Sequence, residues 1–482
     1  MSNSHDALTK ITPRQLEILN LVAKGLRNQD VAELLEISMS TVKVHIAAVL
    51  KTLGVANRTE AVFEYQAALR DREGAMHRLA TVARDVGRPA IAILPFEDRS
   101  EEGPGLQLAS ALHQDLVMRM SRWRWFPVLS AIATRDFDST SADFGRLEEV
   151  LGAVYAVVGR IQSRGDRFRV HVDLVEVASQ QLLWSTSHDF AGSEIFELQD
   201  EVCRSVVAQI APELVRVDSQ LARGREVPGF EAWSLASQGM WHVMRATSDD
   251  SARALEAIER ALELDPNLVM GWYASAAAYY QKVFHQWSDS PREDLASFHR
   301  SAARCIELDP MDSSSHEIFG FSRLIEGRHT DAINHLERAV GLNPSNAQAY
   351  SELGQSLALS GRPDEGIAYL EESLRLAPVG DSAWSTEGGI AIAHFMADRA
   401  EEAEHWAQRA ISRDPDAATM YAILAAAQAS SGDHDQAKRT LDDLERLVSG
   451  FDLKRMVKMA RGSSPLYAEK LEAAFGAAGI LG

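Results

Sequence analysis

Between positions 38 and 59 the chain carries no acidic residue, and within that window stand Lys43, His45, Lys51 and Arg58. Cationic side chains grouped in this way donate hydrogen bonds to phosphate oxygens and to guanine edges. That is binding chemistry rather than bond-breaking. The usual signs of bond-breaking are missing: there is no GxxxxGK[ST] phosphate loop, no HExxH, no GxSxG elbow and no paired CxxC. Carboxylate pairs recur throughout an acidic chain and select nothing. His171 and His188 could be imagined as metal ligands but read better as surface histidines on strands. The two cysteines, Cys203 and Cys305, lie roughly a hundred positions apart. They exclude a disulfide scaffold and a cysteine-ligated zinc site, and they fit a reducing compartment. The expectation is therefore no catalytic residue, no metal, no cofactor and no enzyme.

The wider charge balance sharpens this. Over 482 residues the net charge is −20, with 46% hydrophobic and 24% charged residues. A chain coated in basic residues for nucleic acid is ruled out, but a small near-neutral module on an acidic body is not. From Thr9 to Gln66 seven basic residues meet six acidic ones, so almost all the negative charge lies beyond. The length suggests about three domains. No run of 18 apolar residues occurs and the N-terminus lacks a signal-peptide pattern, so a cytoplasmic protein without a membrane span is expected.

Short helices must position the basic window. Thr12 followed by Pro13 is a hydroxyl cap and a proline at the first helical position. Leu16, Leu19 and Val22 with Ala23 follow at helical spacing, and Gly25 is the stop. Asn28 can cap a second helix whose buried face is Val31, Ala32, Leu34 and Leu35. Ile37 and Ser38 make a tight turn. A third helix over about 40–53 turns Val42, Ile46, Val49, Leu50 and Leu53 inward until Gly54 ends it. Asn57 caps a fourth through Ala61, Val62 and Tyr65. Two short helices joined by a tight turn, the second rich in basic and small residues, form a helix-turn-helix.

The run from Thr12-Pro13-Arg14 through Gly25, Asn28, Val31-Ala32, Ile37-Ser38, Thr41-Val42-Lys43-x-His45, Lys51-x-Leu53-Gly54-Val55 and Asn57-Arg58-x-x-Ala61 resembles the LuxR/GerE helix-turn-helix family. The resemblance implies that the third helix lies in the DNA major groove. Helical spacing then aims Lys43, Val44 and Ala47 at bases. Lys43 can donate to guanine or phosphate, and Val44 can pack on a thymine methyl. Thr41, His45, Lys51 and Arg58 read as phosphate-positioning groups, and Asn28 completes the DNA-binding set. Some family members carry lysine where this chain has Ala47, which implies modest intrinsic affinity. Only about ten residues precede the module, so no receiver domain and no direct phospho-acceptor control are expected upstream.

Residues 1–70 are thus read as the DNA-binding domain and 71–88 as a helical linker with the stripe Met76, Leu79, Val82, Ala83 and Val86. Next, the order strand 90–96, helix 106–122, strand 126–129, helix 144–151, strands 154–162, 167–175 and 181–187, helix 195–214 describes an α/β domain. That order, with the pieces AILPFED, YAVVGRI, VDLVEVASQQLLWS and IFELQDEV, resembles the TolB-like domain, assigned to 89–216. In many bacterial regulators and some cyclases that domain precedes tetratricopeptide repeats.

The remainder, 217–482, repeats. Prolines at 266, 310, 344, 378 and 415 are spaced by 44, 34, 34 and 37, and 34 is the tetratricopeptide period. Tyr350-x-x-Leu353-Gly354 matches the first-helix signature, with Leu357 in place of its usual tyrosine. Ala332, Ala339, Ala403 and Ala410 are the small residues that let paired helices approach. The spacing of 44 implies an insertion on the turn near 285–292. A sixth pair spans 420–447, and 467–480 reads as a capping helix. Stacked pairs form a superhelix with a concave surface for a peptide or protein partner. By family register Gln348, Ser351 and Gln355 face that side.

The fold class expected is multidomain and mostly α: a helix-turn-helix bundle, an α/β domain and an α-solenoid. The layout resembles CadC-like regulators, with a LuxR-type module in place of their winged helix. The function expected is a sequence-specific transcription regulator in bacterial signal transduction. It would bind double-stranded DNA as a homodimer, with the rest of the chain sensing an effector or recruiting a protein. The competing reading is a cytoplasmic repeat scaffold whose helical module binds protein.

Overall fold

The structure is a computed structural model that describes residues 11–23, 26–65, 87–100, 105–135, 137, 144–164, 167–191, 195–221, 230–245, 247–285, 287–378, 383–447 and 451–481. The linker stripe at 66–86 and the helix stop at Gly25 lie outside these residues. The chain forms two compact units, one of residues 1–83 with 146–152 and the other of 84–145 with 153–482.

In the first unit α1 (Pro13–Ala23), α2 (Asn28–Leu34), α3 (Met39–Leu53) and α4 (Arg58–Tyr65) follow the expected order. At its start Gln15 N–H donates to Thr12 Oγ1, and Thr12 N–H to Gln15 Oε1, the reciprocal pairing of a capping box. At α4 Asn57 is the cap: Glu60 N–H donates to Asn57 Oδ1 at 2.9 Å, and the Glu60 carboxylate accepts from Ala56 N–H and Asn57 Nδ2, each at 2.8 Å. Gly54 ends α3 at φ +69°, a conformation glycine adopts without steric cost. The core is Ile18, Leu19, Val22, Val31, Ala32, Val42, Val49, Ala61 and Tyr65. Two expectations change. Leu16 and Leu34 point out (40% and 61% exposed), while Ile18 is fully buried, because the inward stripe of α1 is set by 18, 19 and 22. The cap of α2 is Arg27, whose backbone N–H donates to Asp30, and not Asn28.

In the second unit the sheet runs β1 (Ala90–Ile93), β3 (Ala153–Arg164), β4 (Arg167–Glu176), β5 (Leu182–Ala191), with the short β2 (Glu97–Asp98) also on β3. β1 and β2 pair parallel to β3, and the other pairs are antiparallel. The expected strand at 126–129 is only a parallel bridge between Ile91 and Val128, because Pro127 has no N–H to extend a ladder. α5 (Gly105–Met120) and the short α6 (Ala131–Thr134) intervene, α7 (Phe144–Leu151), which belongs from residue 146 to the first unit, precedes β3, and α8 (Ile195–Leu221) closes the domain. Leu112, Leu116 and Met120 of α5 and Val202, Val206, Ile210 and Leu214 of α8 bury the sheet face of Phe168, Val170, Val172 and Leu174.

Six helix pairs follow: α9 (Glu231–Arg245) with α10 (Ser248–Leu264), α11 (Val269–Phe284) with α12 (Pro291–Leu308), and α13 (Ser313–Ile325) with α14 (His329–Leu342). Then come α15 (Ala347–Leu359) with α16 (Pro363–Leu376), α17 (Ala383–Met396) with α18 (Ala400–Arg413), and α19 (Ala418–Ser431) with α20 (His434–Leu447). The insertion implied by the spacing of 44 sits only partly on its turn. α11 and α12 have 16 and 18 residues against 13 and 14 in the next pair. The tail is two helices rather than one, α21 (Leu453–Ser463) and α22 (Pro465–Ala477).

The α/β core continues without a break into the first pairs, where Trp233, Ala236, Met240 and Ile258 join it. At this junction the buried Asp218 accepts hydrogen bonds from Tyr155 Oη, Trp233 Nε1 and Ser237 Oγ, each at 2.7 Å. Further along, Ser205 Oγ donates to Leu376 O at 3.4 Å, Arg204 pairs with Glu372, and Arg375 pairs with Glu201 at 2.7 Å.

Ala332, Ala339, Ala403 and Ala410 are fully buried, as small residues in helix seams should be. Ala339→Arg forces a charge into such a seam and should cost several kcal/mol. The expected outcome, read by calorimetry on the full chain, is a lost or strongly lowered body transition with the head transition unchanged.

A second prediction concerns pH. Glu317, buried in α13 beside Asp312, accepts from Tyr273 Oη at 3.1 Å and is pushed up to about 8, chiefly by burial. The folded state therefore holds a proton that the unfolded chain releases above 4.5. This group's contribution is full at low pH and is lost as pH rises toward 8. Histidines held low by burial, such as His113 and His329, cost stability only below about 6.5. Between pH 6.5 and 8 the melting temperature should fall with rising pH, and Glu317→Gln should flatten that slope.

Candidate nucleic-acid interface

The turn that sets α3 is built from the backbone outward. Glu36 takes φ +51°, Ile37 N–H donates to Ala32 O at 3.0 Å, and Arg14 Nη2 donates to Leu35 O at 3.1 Å. Ser38 then caps α3: its Oγ accepts from Thr41 N–H at 3.0 Å and lies 2.7 Å from Thr41 Oγ1. With Val42 and Val49 buried in the core, the opposite face of α3 turns to solvent.

That face presents Lys43, Val44, Ala47 and Lys51, all exposed, with Val44 at 67%. Positions 43, 44, 47 and 51 lie one above another on a helix. Ser40 belongs to the same stripe, and Met39 is 48% exposed at the start of the helix. Sequence reasoning passed over both, although the signal was available: the first turn of a recognition helix lies nearest the bases. His45 and Thr41 are half-buried at the margins. No acidic side chain occurs on α3, so a polyanion meets only donors and apolar groups there.

Two residues of the expected set face elsewhere. The Arg58 guanidinium donates to Leu26 O at 2.5 Å, to Asn28 Oδ1 at 3.1 Å and to Val22 O at 3.5 Å. It staples α4 to the end of α1 and the start of α2, so Arg58 and Asn28 hold the bundle together. A guanidinium carries five N–H donors in a fixed fork, so one Arg58 side chain can reach all three acceptors at once.

In the second unit Ser351 is buried, and its hydroxyl is engaged by Gln355 Nε2 at 3.3 Å and Thr386 Oγ1 at 3.1 Å. Gln348 donates to Glu352 at 3.1 Å. Of the three expected partner contacts, Gln348 and Gln355 keep some surface and Ser351 does not. His171 and His188 cannot share an ion. His171 pairs with Ser187 and His188 with Val170, so the two rings point to opposite faces of the sheet. Among the described residues no group of three or more histidine, cysteine or carboxylate side chains could hold a metal. A cleft of about 1520 Å³ lined by Arg88, Trp233, Arg253, Arg260, Asp265 and Asp309 mixes both signs of charge and selects no ligand class. No single described helix is long and apolar enough to cross a membrane.

Comparison with known proteins gives three family matches along the chain. Residues 9–64 match "Bacterial regulatory proteins, luxR family", residues 87–205 match "HilA/YgeH-like transcriptional regulator, second domain", and residues 323–381 match "Tetratricopeptide repeat". The response regulator protein VraR of Staphylococcus aureus is 46% identical over 52 residues, 11% of this chain and 25% of that one. The uncharacterized transcriptional regulatory protein YxjL of Bacillus subtilis is 41% identical over 61 residues, 13% of this chain and 28% of that one. A protein named putative adenylate cyclase 3, from Rhizobium meliloti, is 22% identical over 247 residues, half of this chain and 42% of that one. The chain thus spans less than half the length of each of these relatives. Among solved structures, the tetratricopeptide protein TTC0263 of Thermus thermophilus aligns over 41% of this chain and 98% of its own at 17% identity and a TM-score of 0.33. The chain carries a LuxR-family helix-turn-helix DNA-binding domain, a HilA/YgeH-like second domain and a tetratricopeptide repeat array.

Proposed function

We propose that this protein is a sequence-specific transcription regulator that sets α3 into the major groove of promoter DNA. The observation that carries the reading is the acid-free outer face of α3, with Lys43, Val44, Ala47 and Lys51 exposed together. Lys43 donates to a base edge or phosphate, Val44 packs on a thymine methyl, and Lys51, His45 and Thr41 position the backbone. The small Ala47 lets the helix approach closely while adding no polar contact. The head acts as a homodimer on paired half-sites. The central domain, TolB-like in its strand and helix order, and the repeats sense an effector or recruit a protein partner. The reading assigns no catalytic step; the cyclase name belongs to the rhizobial relative. The net charge of −20 favours one alternative, a repeat scaffold whose head binds protein.

Selection of DNA fragments on the purified chain, followed by sequencing, separates the two. A recovered site should lose ~1–3 kcal/mol of affinity in Lys43→Ala if that lysine is bidentate to a base. Affinity should fall with added salt as phosphate contacts release counterions. Arg58→Ala should act differently, lowering head stability by ~1–3 kcal/mol through its lost hydrogen bonds. At temperatures where the head stays folded it should leave the salt slope unchanged. Absence of any enriched sequence, or equal binding by Lys43→Ala, would favour the scaffold.

A further inference from the structure

The first helix of the last pair, α19, is buried at every position from Ala422 to Ala429. In a stacked array such a helix is covered by its own partner and by the preceding pair, which leaves one face open. Here α22 fills that face. Tyr467, Ala468, Leu471, Ala474 and Phe475 are all buried in one apolar cluster with Met420, Ile423, Leu424 and Ala427 of α19. Their spacing is a single helical stripe, the pattern by which an amphipathic helix lies in a groove. A terminal cap would end there, but this hairpin continues backward over three earlier pairs. Lys470 pairs with Asp398 on the α17–α18 turn. Ser464 Oγ donates to Leu359 O, at the end of α15, at 2.7 Å. The His329 ring, at the start of α14, lies beside the Ser463 backbone. Gly327, at φ +73°, lies so close to the hairpin that an added Cβ would sit 2.8 Å from Gly462 O.

The hairpin also differs from the body in charge. Residues 451–481 hold five basic side chains (Lys454, Arg455, Lys458, Arg461, Lys470) against three acidic ones, in a chain of net −20. α21 carries four of the five and no acidic residue.

We propose that the α21–α22 hairpin is a built-in ligand of the repeat array, seated where an outside partner binds, and that the partner is an amphipathic helix with the same small-and-aromatic stripe and a cation where Lys470 meets Asp398. The partner competes with the hairpin for α19 and for the turns at Gly327, Leu359 and Asp398. This rests on the repeats being the partner-binding part of the chain. Beyond its apolar contact with α19 and with Phe395 of α17, the hairpin is held over those turns by one ion pair and one hydrogen bond, and such a terminal element opens sub-globally, below the free energy of the array.

The test begins with hydrogen exchange on the intact chain. The amides of 453–477 should exchange together, at least tenfold faster than those of α15–α18. A fluorescent peptide of residues 451–481 is then titrated onto the full chain and onto the Ser464→Ala/Lys470→Glu variant. The variant should bind the peptide at least tenfold more tightly than the unaltered chain, and a peptide with Leu471→Asp and Phe475→Asp should bind neither. Exchange of the hairpin only together with the array would overturn the proposal, and this measurement needs no variant. Equal peptide binding by both proteins would also overturn it. Both readouts use the chain and its own segment, so they stand or fall apart from whether the repeats recruit any outside protein.

Discussion

The buried carboxylate of Asp218 is the point on which the second unit turns. It accepts from a strand tyrosine, from the indole of the first repeat helix and from a serine one turn further on. No cation faces it in these bonds, and burial raises its proton affinity although all three donors favour the charged form. A buried carboxylate with good donors is tolerated, whereas one stripped of them is strongly destabilising. The sheet, α8 and the first helix pair must therefore stay in register with one another. Phe126 stacks edge-on against both Tyr155 and Trp233 and seals the site. A repeat array that could flex at its first pair is instead anchored to a mixed sheet.

Most of the helical layout was legible because its signals are local. Caps at Thr12 and Asn57, the αL glycine at 54 and the prolines at repeat spacing act over three or four residues, so sequence alone displays them, whereas Ser38, read as part of a turn, proves to be the cap of α3. The outer face of α3 was legible for the same reason, since helical period fixes which side chains oppose Val42 and Val49. What stayed hidden depends on distant partners. Arg58 looks like any lone cation in a basic window; only the fold brings Leu26 O and Asn28 within its reach. Ser351 reads as a groove residue until Thr386, 35 positions on, closes over it. The strand at 126–129 has the right apolar character, but Pro127 restricts it to one bridge. Asp218 carried no signal at all, because a carboxylate among apolar residues is indistinguishable from a surface position until its donors are seen.

The two units of the chain expose different kinds of surface. The head offers a narrow convex ridge with a few donors and a small residue, suited to a groove whose edges carry the information. The array pairs polar groups in its interior: Gln348 with Glu352, Gln355 with Ser351, Tyr273 with Glu317. The two glutamine pairs lie within α15, whereas Tyr273–Glu317 and Thr386–Ser351 each join the first helices of successive pairs and hold them in register.

The long α8 helix has a consequence for how quickly the protein can be made ready. Helical arrays are among the faster topologies because nearly all their contacts join near neighbours, and folding rate falls as contacting residues lie further apart in sequence. Here Ser205 meets Leu376 across 171 positions and Ser464 meets Leu359 across 105. Each such contact must wait for a long loop to close. Helix pairs can form early and in any order, but the finished body must wait for these two closures, which makes its assembly slower than its helical content suggests.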